Sequence, residues 1–117
     1  MRDHLYYYAA KVVSVYDGDT VRTDIDLGLS TWVKKEKIRL ARINAPEVRG
    51  KERPEGLKAR DFLSDLILDK DIFLQTQKDK KGKYGRYLGE LWVEKDGKWI
   101  NVNDLMVESG HAVYVHY

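Results

Sequence analysis

Asp17 and Asp19, in the run VYDGDT over residues 15–20, are the first side chains of this 117-residue chain whose types and spacing could do chemistry. The run IRLARINAPE over 38–47 follows, with Arg39, Arg42, Asn44 and Glu47, and then KYGR over 83–86, with Lys83, Tyr84 and Arg86. Carboxylates and amides are oxygen ligands for a hard cation, and guanidiniums grip phosphoryl oxygens in a planar fork that lysine cannot copy. Phosphodiester hydrolysis asks for these parts, because its barrier lies in bringing water to an anion and in the charge that develops on the phosphorus oxygens. Each motif alone also has a plainer reading. Asp-Gly-Asp is an ordinary turn, Arg39 could snorkel from a strand, Glu47 could be a loop carboxylate, and Arg86 one more charge in a solvated loop.

The elements that must position these residues can be read from periodicity. Tyr6 to Tyr16 is rich in Tyr and Val and stops at Asp17-Gly18-Asp19, so it forms a hairpin with the next run. Thr20 to Leu27 alternates, with Val21, Thr23, Ile25 and Leu27 on one face and Arg22, Asp24 and Asp26 on the other. Residues 28–35 read as a loop, and Glu36 to Asn44 as a third strand that ends before Pro46. Strict alternation there puts Arg39, Ala41 and Ile43 on one face and Leu40, Arg42 and Asn44 on the other, so Arg39 and Arg42 cannot share one phosphate without a bulge. From Pro54, the spacing of Ala59, Phe62, Leu63, Leu66 and Ile67 predicts an amphipathic helix to about Leu68. Residues 71–77 and 88–95 read as strands around the polar loop 78–87, Asp96-Gly97 closes a turn, and 103–109 form a short second helix before an aromatic end. Three strands, a helix, two strands and a helix make one α+β domain over 1–117, a five-stranded OB-type β-barrel with two short helices.

Composition narrows the partners. The net charge of +2 averages unequal blocks: residues 34–60 carry ten Lys/Arg against four Glu, and 78–87 carry five against one Asp. A polyanion would be drawn to those two segments. Without cysteine there is neither a disulfide framework nor a thiolate site. The start lacks the basic-then-apolar pattern of a secretion signal and no apolar run is long enough to span a bilayer, so a cytoplasmic protein without a membrane partner is expected. His4, His111 and His116 have no metal spacing. Trp32, Trp92 and Trp99 suit a core or hairpins better than base platforms.

The three motifs in this order, with a helix between the second and third, resemble the staphylococcal nuclease (thermonuclease) family from about Lys11 to Tyr114. The resemblance implies a calcium-dependent nuclease acting on DNA and RNA. It makes Asp19 a Ca²⁺ ligand with Asp17 behind it, Arg39 and Arg86 the phosphate-clamping arginines, and Glu47 the general base or water-orienting carboxylate. Asn44 stands where the family usually has a second calcium-binding Asp, and the Ala45 carbonyl is a further implied ligand. An Asn oxygen still coordinates Ca²⁺, but one negative charge is gone, so weaker metal binding is expected. Lys83, Tyr84 and Tyr114 resemble positions that contact the nucleotide's terminal phosphate and base, and stacking beside a basic groove is how unpaired strands of DNA or RNA are held. The implied enzyme is a monomer that hydrolyses phosphodiesters with little sequence preference and leaves 3′-phosphate ends. The alternative is a catalytically weak nucleic-acid-binding OB module, which the neutral Asn44 suggests and the joint presence of Arg39, Glu47 and Arg86 opposes.

Overall fold

A computed structural model describes residues 6–81 and 85–115, with the backbone alone over 77–81. The β-branched and aromatic N-terminal run forms β1 (Tyr7–Asp17), which turns through Gly18-Asp19 into β2 (Thr20–Asp26), as the Asp-Gly signal requires. Val21, Thr23 and Ile25 of β2 are buried, as alternation demands. Leu27 lies past the end of the strand and is exposed, so the inward pattern stops at Ile25 and the strand ends one residue earlier than expected. The third strand, β3 (Trp32–Leu40), begins inside the segment expected to be a loop.

Alternation fails next at Ala41-Arg42. Arg42 takes φ 69°, the chain turns, and a two-residue β4 (Ile43–Asn44) continues in a new direction. Ile38, Leu40, Ile43 and Ala45 are therefore all buried, and the single strand expected over 36–44 is two. After a short 3₁₀ turn at Gly50–Glu52 comes α1 (Arg53–Ile67), with Pro54 in its first turn and Gly56, Ala59, Leu63 and Ile67 buried along one stripe. The strands β5 (Asp71–Lys81) and β6 (Tyr87–Lys95) take in both ends of the expected 78–87 loop. Asp96-Gly97, both at positive φ, then lead into β7 (Lys98–Asn101), α2 (Val102–Glu108) and β8 (Val113–Tyr114).

The sheet order is β3-β2-β1-β5-β6-β7, and a parallel pairing of β3 with β6 closes five of these strands into a barrel, with two helices packed on it. Closure removes the edges of β3 and β6 and shuts Val12, Val21, Ile38, Leu74 and Leu91 into a core that excludes water. Shifts of register in β1 at Val12/Ser14 and Val15/Asp17 supply the coiling that closure needs. A separate ladder pairs Ile43 with Tyr114 and Asn44 with Val113. Among the described residues no helix is long and apolar enough to cross a membrane.

Candidate active site

The β1–β2 turn is held in place by small residues. A Cβ on Gly18 would sit 2.8 Å from the Cβ of Ala45 and 2.8 Å from that of Ala59, so only glycine lets the turn press against both the segment after β4 and the face of α1. That contact carries Asp19 inward until it is 5% exposed. One carboxylate oxygen then accepts from the Ala45 N–H at 2.8 Å and the other from the Thr20 hydroxyl at 3.1 Å. Asp17 accepts from the Asp19 N–H at 3.0 Å. Burial, followed by the hydrogen bond and negative charge of Asp19, pushes the Asp17 carboxyl up to about 7.

Arg39 stands two residues before the turn at Ala41-Arg42, and the turn folds its own carbonyls back onto the guanidinium. The Nη1 donates to the Leu40 and Ile43 carbonyls, each at 3.0 Å, and Nη2 donates to Asn44 Oδ1 at 3.2 Å and lies 3.3 Å from Asp19 Oδ2. Three hydrogen bonds and an ion pair thus fix the fork before any ligand arrives. Barrel closure does the rest: Arg39 lies opposite Leu88 in the parallel β3–β6 pair, which brings the residues just after Arg86 alongside it. Glu47 is exposed, with its N–H donating to Glu52 Oε1 at 3.3 Å. The backbone carbonyl of Glu47 would be 2.0 Å from a Cβ on Gly56, so α1 approaches Glu47 as closely as it does only because residue 56 has no side chain.

Asp17, Asp19, Arg39, Asn44, Ala45, Glu47 and Arg86, drawn from three separate stretches of sequence, all line one cleft of about 850 Å³. Tyr114 does not. Its hydroxyl donates to Asp104 at 2.8 Å and its ring lies 5.8 Å from the Arg42 guanidinium, because the pairing of β8 with β4 turns it toward α2 and away from the cleft. Lys83 and Tyr84 lie outside the described residues. Arg42 is far from spare: it makes a bidentate pair with Glu90 at 2.7 Å for both bonds and reaches Asp104 at 3.0 Å.

The family model of staphylococcal nuclease homologues matches residues 37–117. The chain belongs to the staphylococcal nuclease family. Arg39, Asn44, Glu47 and Arg86 fall inside the matched span, whereas Asp17 and Asp19 precede it. Over 134 aligned residues the chain is 31% identical to an uncharacterized protein of Methanocaldococcus jannaschii, covering 96% of this chain and 61% of that one. It is 30% identical over 89 residues to the thermonuclease of Staphylococcus hyicus, covering 74% of this chain and 49% of the other. The chain therefore spans between about half and three fifths of the length of these relatives.

Within this staphylococcal nuclease fold, the cationic and aromatic residues of the cleft to which the sequence reading assigned no role are Tyr16, Arg22, Lys37 and Arg49. A signal existed for two of them. Lys37 is two residues from Arg39 and so shares its face of β3, and Arg22 stands on the polar face of β2. Asn103 was also missed. Fully buried, it accepts from the Leu91 N–H at 3.1 Å and donates to the carbonyls of Ala41 and Gly89 at 2.9 and 3.0 Å, tying the Ala41-Arg42 turn to β6.

As for a metal, among the described residues no three Asp, Glu or His side chains converge closely enough to hold one. Beside Asp19 the cleft is lined by Asp17, Asn44 and Ala45, which can offer oxygen donors and no sulfur. That set fits a hard cation that completes its shell with water, and excludes a soft thiophilic one.

Proposed function

We propose that the cleft hydrolyses phosphodiester bonds of DNA and RNA without marked sequence preference, releasing the 5′ oxygen and leaving 3′-phosphate ends. The observation that carries the proposal is the convergence of Asp19, Arg39, Glu47 and Arg86 on one cleft from positions as far apart as 19 and 86. A binding surface has no need of a carboxylate beside the phosphate it holds. Arg39 and Arg86 grip the non-bridging oxygens, and they gain strength as negative charge builds on them. Glu47 orients a water for attack at phosphorus and takes its proton as the new P–O bond forms and the bond to the 5′ oxygen breaks. Asp19, Asn44 and the Ala45 carbonyl would hold Ca²⁺, with Asp17 behind them. Bound there, the ion supplies Lewis-acid polarisation of the phosphoryl group.

One observation favours a second reading, a binding module with weak catalysis. Asn44 is neutral, and its oxygen already accepts from Arg39. Incubation of the protein with single-stranded DNA, in Ca²⁺ or in EDTA, separates the two. The nuclease reading expects shortened products in Ca²⁺ alone, with ends that a 3′-phosphatase dephosphorylates. Retardation of intact strands in both conditions would support the module.

A further inference from the structure

Tyr16, Arg22, Lys37 and Arg49 line the cleft yet have no part in the reaction drawn above. Three of them stand in adjoining strands. Pairing sets Ser14 opposite Arg22 and Arg22 opposite Lys37, in the row next to that of Thr20 and Arg39. Same-face neighbours on a strand are about 6.6 Å apart, so Lys37 continues the wall from Arg39 by one step. Arg22 spends one N–H on the Lys35 carbonyl at 2.8 Å and is otherwise exposed, while Lys37, also exposed, makes no hydrogen bond or ion pair with another described residue.

Tyr16, one residue before Asp17, lines the cleft and is 54% exposed, so its ring is open to a ligand. Its hydroxyl accepts from Arg49 Nη2 at 3.4 Å, which tethers the ring from its far end without covering it. The charge balance points the same way. The cleft has five cationic side chains, Arg22, Lys37, Arg39, Arg49 and Arg86, against the three carboxylates of Asp17, Asp19 and Glu47. A single scissile phosphodiester with one divalent cation adds no net negative charge to offset that surplus, whereas further phosphates do.

We propose that Tyr16, Arg22, Lys37 and Arg49 form a second nucleotide position. Arg22 and Lys37 take the phosphate next to the scissile one, and the adjoining base lies on the Tyr16 ring that Arg49 tethers. The ligand is an extended, unpaired polynucleotide strand, because a base can reach Tyr16 only when it is free of a partner, and ring stacking beside a cationic track accepts any base. This inference rests on the reading of the cleft as a nucleic-acid site and specifies where along it the strand runs.

The test is fluorescence anisotropy in EDTA with two labelled probes, an eight-residue oligothymidylate and a thymidine dinucleotide. The wild-type protein should prefer the longer strand. Tyr16→Ala should weaken binding of the octamer by roughly five- to a hundredfold, the range for one lost stacking contact. Tyr16→Phe, which keeps the ring and the fold, should hold most of the affinity. Lys37→Gln should reduce the slope of log K against log salt by about 0.7, the value for one phosphate contact on a single strand. If Tyr16→Ala and Lys37→Gln bind the octamer as the wild type does, the second position is wrong while the nuclease reading stands. Equal losses in Tyr16→Phe and Tyr16→Ala would also overturn it, since the ring would not be the platform. A wild-type protein that binds neither probe overturns both.

Discussion

Arg39 is anchored by its own chain, through the Leu40 and Ile43 carbonyls, before any ligand arrives. Arg86 approaches from the other side of the barrel closure and is the better probe of clamping, because changing it leaves that anchor intact. Arg86→Lys keeps a positive charge but loses the fork, and turnover should fall by roughly a hundredfold or more, the loss typical of one preorganised donor. Single-turnover cleavage in saturating Ca²⁺ measures it, and near-normal turnover would remove bidentate clamping at this position.

Asn44 gives a signed expectation. Asn44→Asp adds a carboxylate next to Asp19, which should tighten Ca²⁺ binding in calorimetry and raise activity at limiting calcium, with the gain shrinking at saturation. The Arg39 N–H now on the Asn44 oxygen would become half of an ion pair and absorb part of the new charge, so the gain should be smaller than that of an unpaired carboxylate. Unchanged calcium affinity would mean that residue 44 does not face the metal. Arg39, Asn44 and Glu47 were legible because their motif is local. That Arg42 parts from Arg39 was legible in the alternation, but the turn that carries it to Glu90 and Asp104 was not, since nothing in RLARIN marks the left-handed residue at 42.

At the scale of elements, one buried amide joins three of them. Asn103 at the start of α2 satisfies the Leu91 N–H of β6 and the carbonyls of Ala41 and Gly89. Asn103→Ala strands the Leu91 N–H and the Ala41 carbonyl, while the Gly89 carbonyl keeps the Ala41 N–H at 2.9 Å, so at about 1 to 3 kcal/mol for each buried group left unpaired a loss of at least about 2 kcal/mol is expected in urea unfolding. The same variant frees the turn that shapes the Arg39 anchor, so activity should fall even where the protein remains folded. Nothing in VNDLMVE distinguishes this asparagine from a helix cap, a role that falls to Asn101, whose oxygen accepts from the Asp104 N–H at 2.8 Å.

The neighbouring Arg42, Asp104 and Tyr114 ties carry a pH signature. Burial raises the Asp104 carboxyl, but the Tyr114 hydroxyl and the Arg42 guanidinium outweigh it and hold the group below the usual carboxylate range. A lowered carboxyl contributes stability that is present above its unfolded value near 3.9 and is lost as the pH falls through the folded one. The melting-temperature advantage of the wild type over Asp104→Asn should therefore be constant near neutrality and shrink below about pH 4. A difference that stays flat into acid would show that the pairing contributes nothing.

Across the whole molecule, the sequence conveyed the order of elements and the two basic segments, but not the closure that brings those segments together. No local pattern announces that β3 and β6 lie side by side, because the partners Ile38 and Tyr87 are separated by α1 and all of β5. Closure adds Arg86 to the four cations already on the β2, β3 and post-β4 wall of the cleft, and the surplus predicts that strand binding weakens steeply with salt, log K falling by about 0.7 for each phosphate neutralised. Filter binding between low and moderate salt measures the slope. A complex indifferent to salt would argue for an apolar partner.

The same closure bears on how the chain is made. Until residues 87–95 are available, β3 and β5 both present open edges, and Arg39 has no neighbour from the third motif. During synthesis the first eighty or so residues can form the β1–β2–β3 meander and α1, yet they cannot assemble the cleft. On the proposed reading, a nascent chain on the ribosome, surrounded by RNA, is thus held without an assembled cleft until β6, Tyr87–Lys95, has emerged.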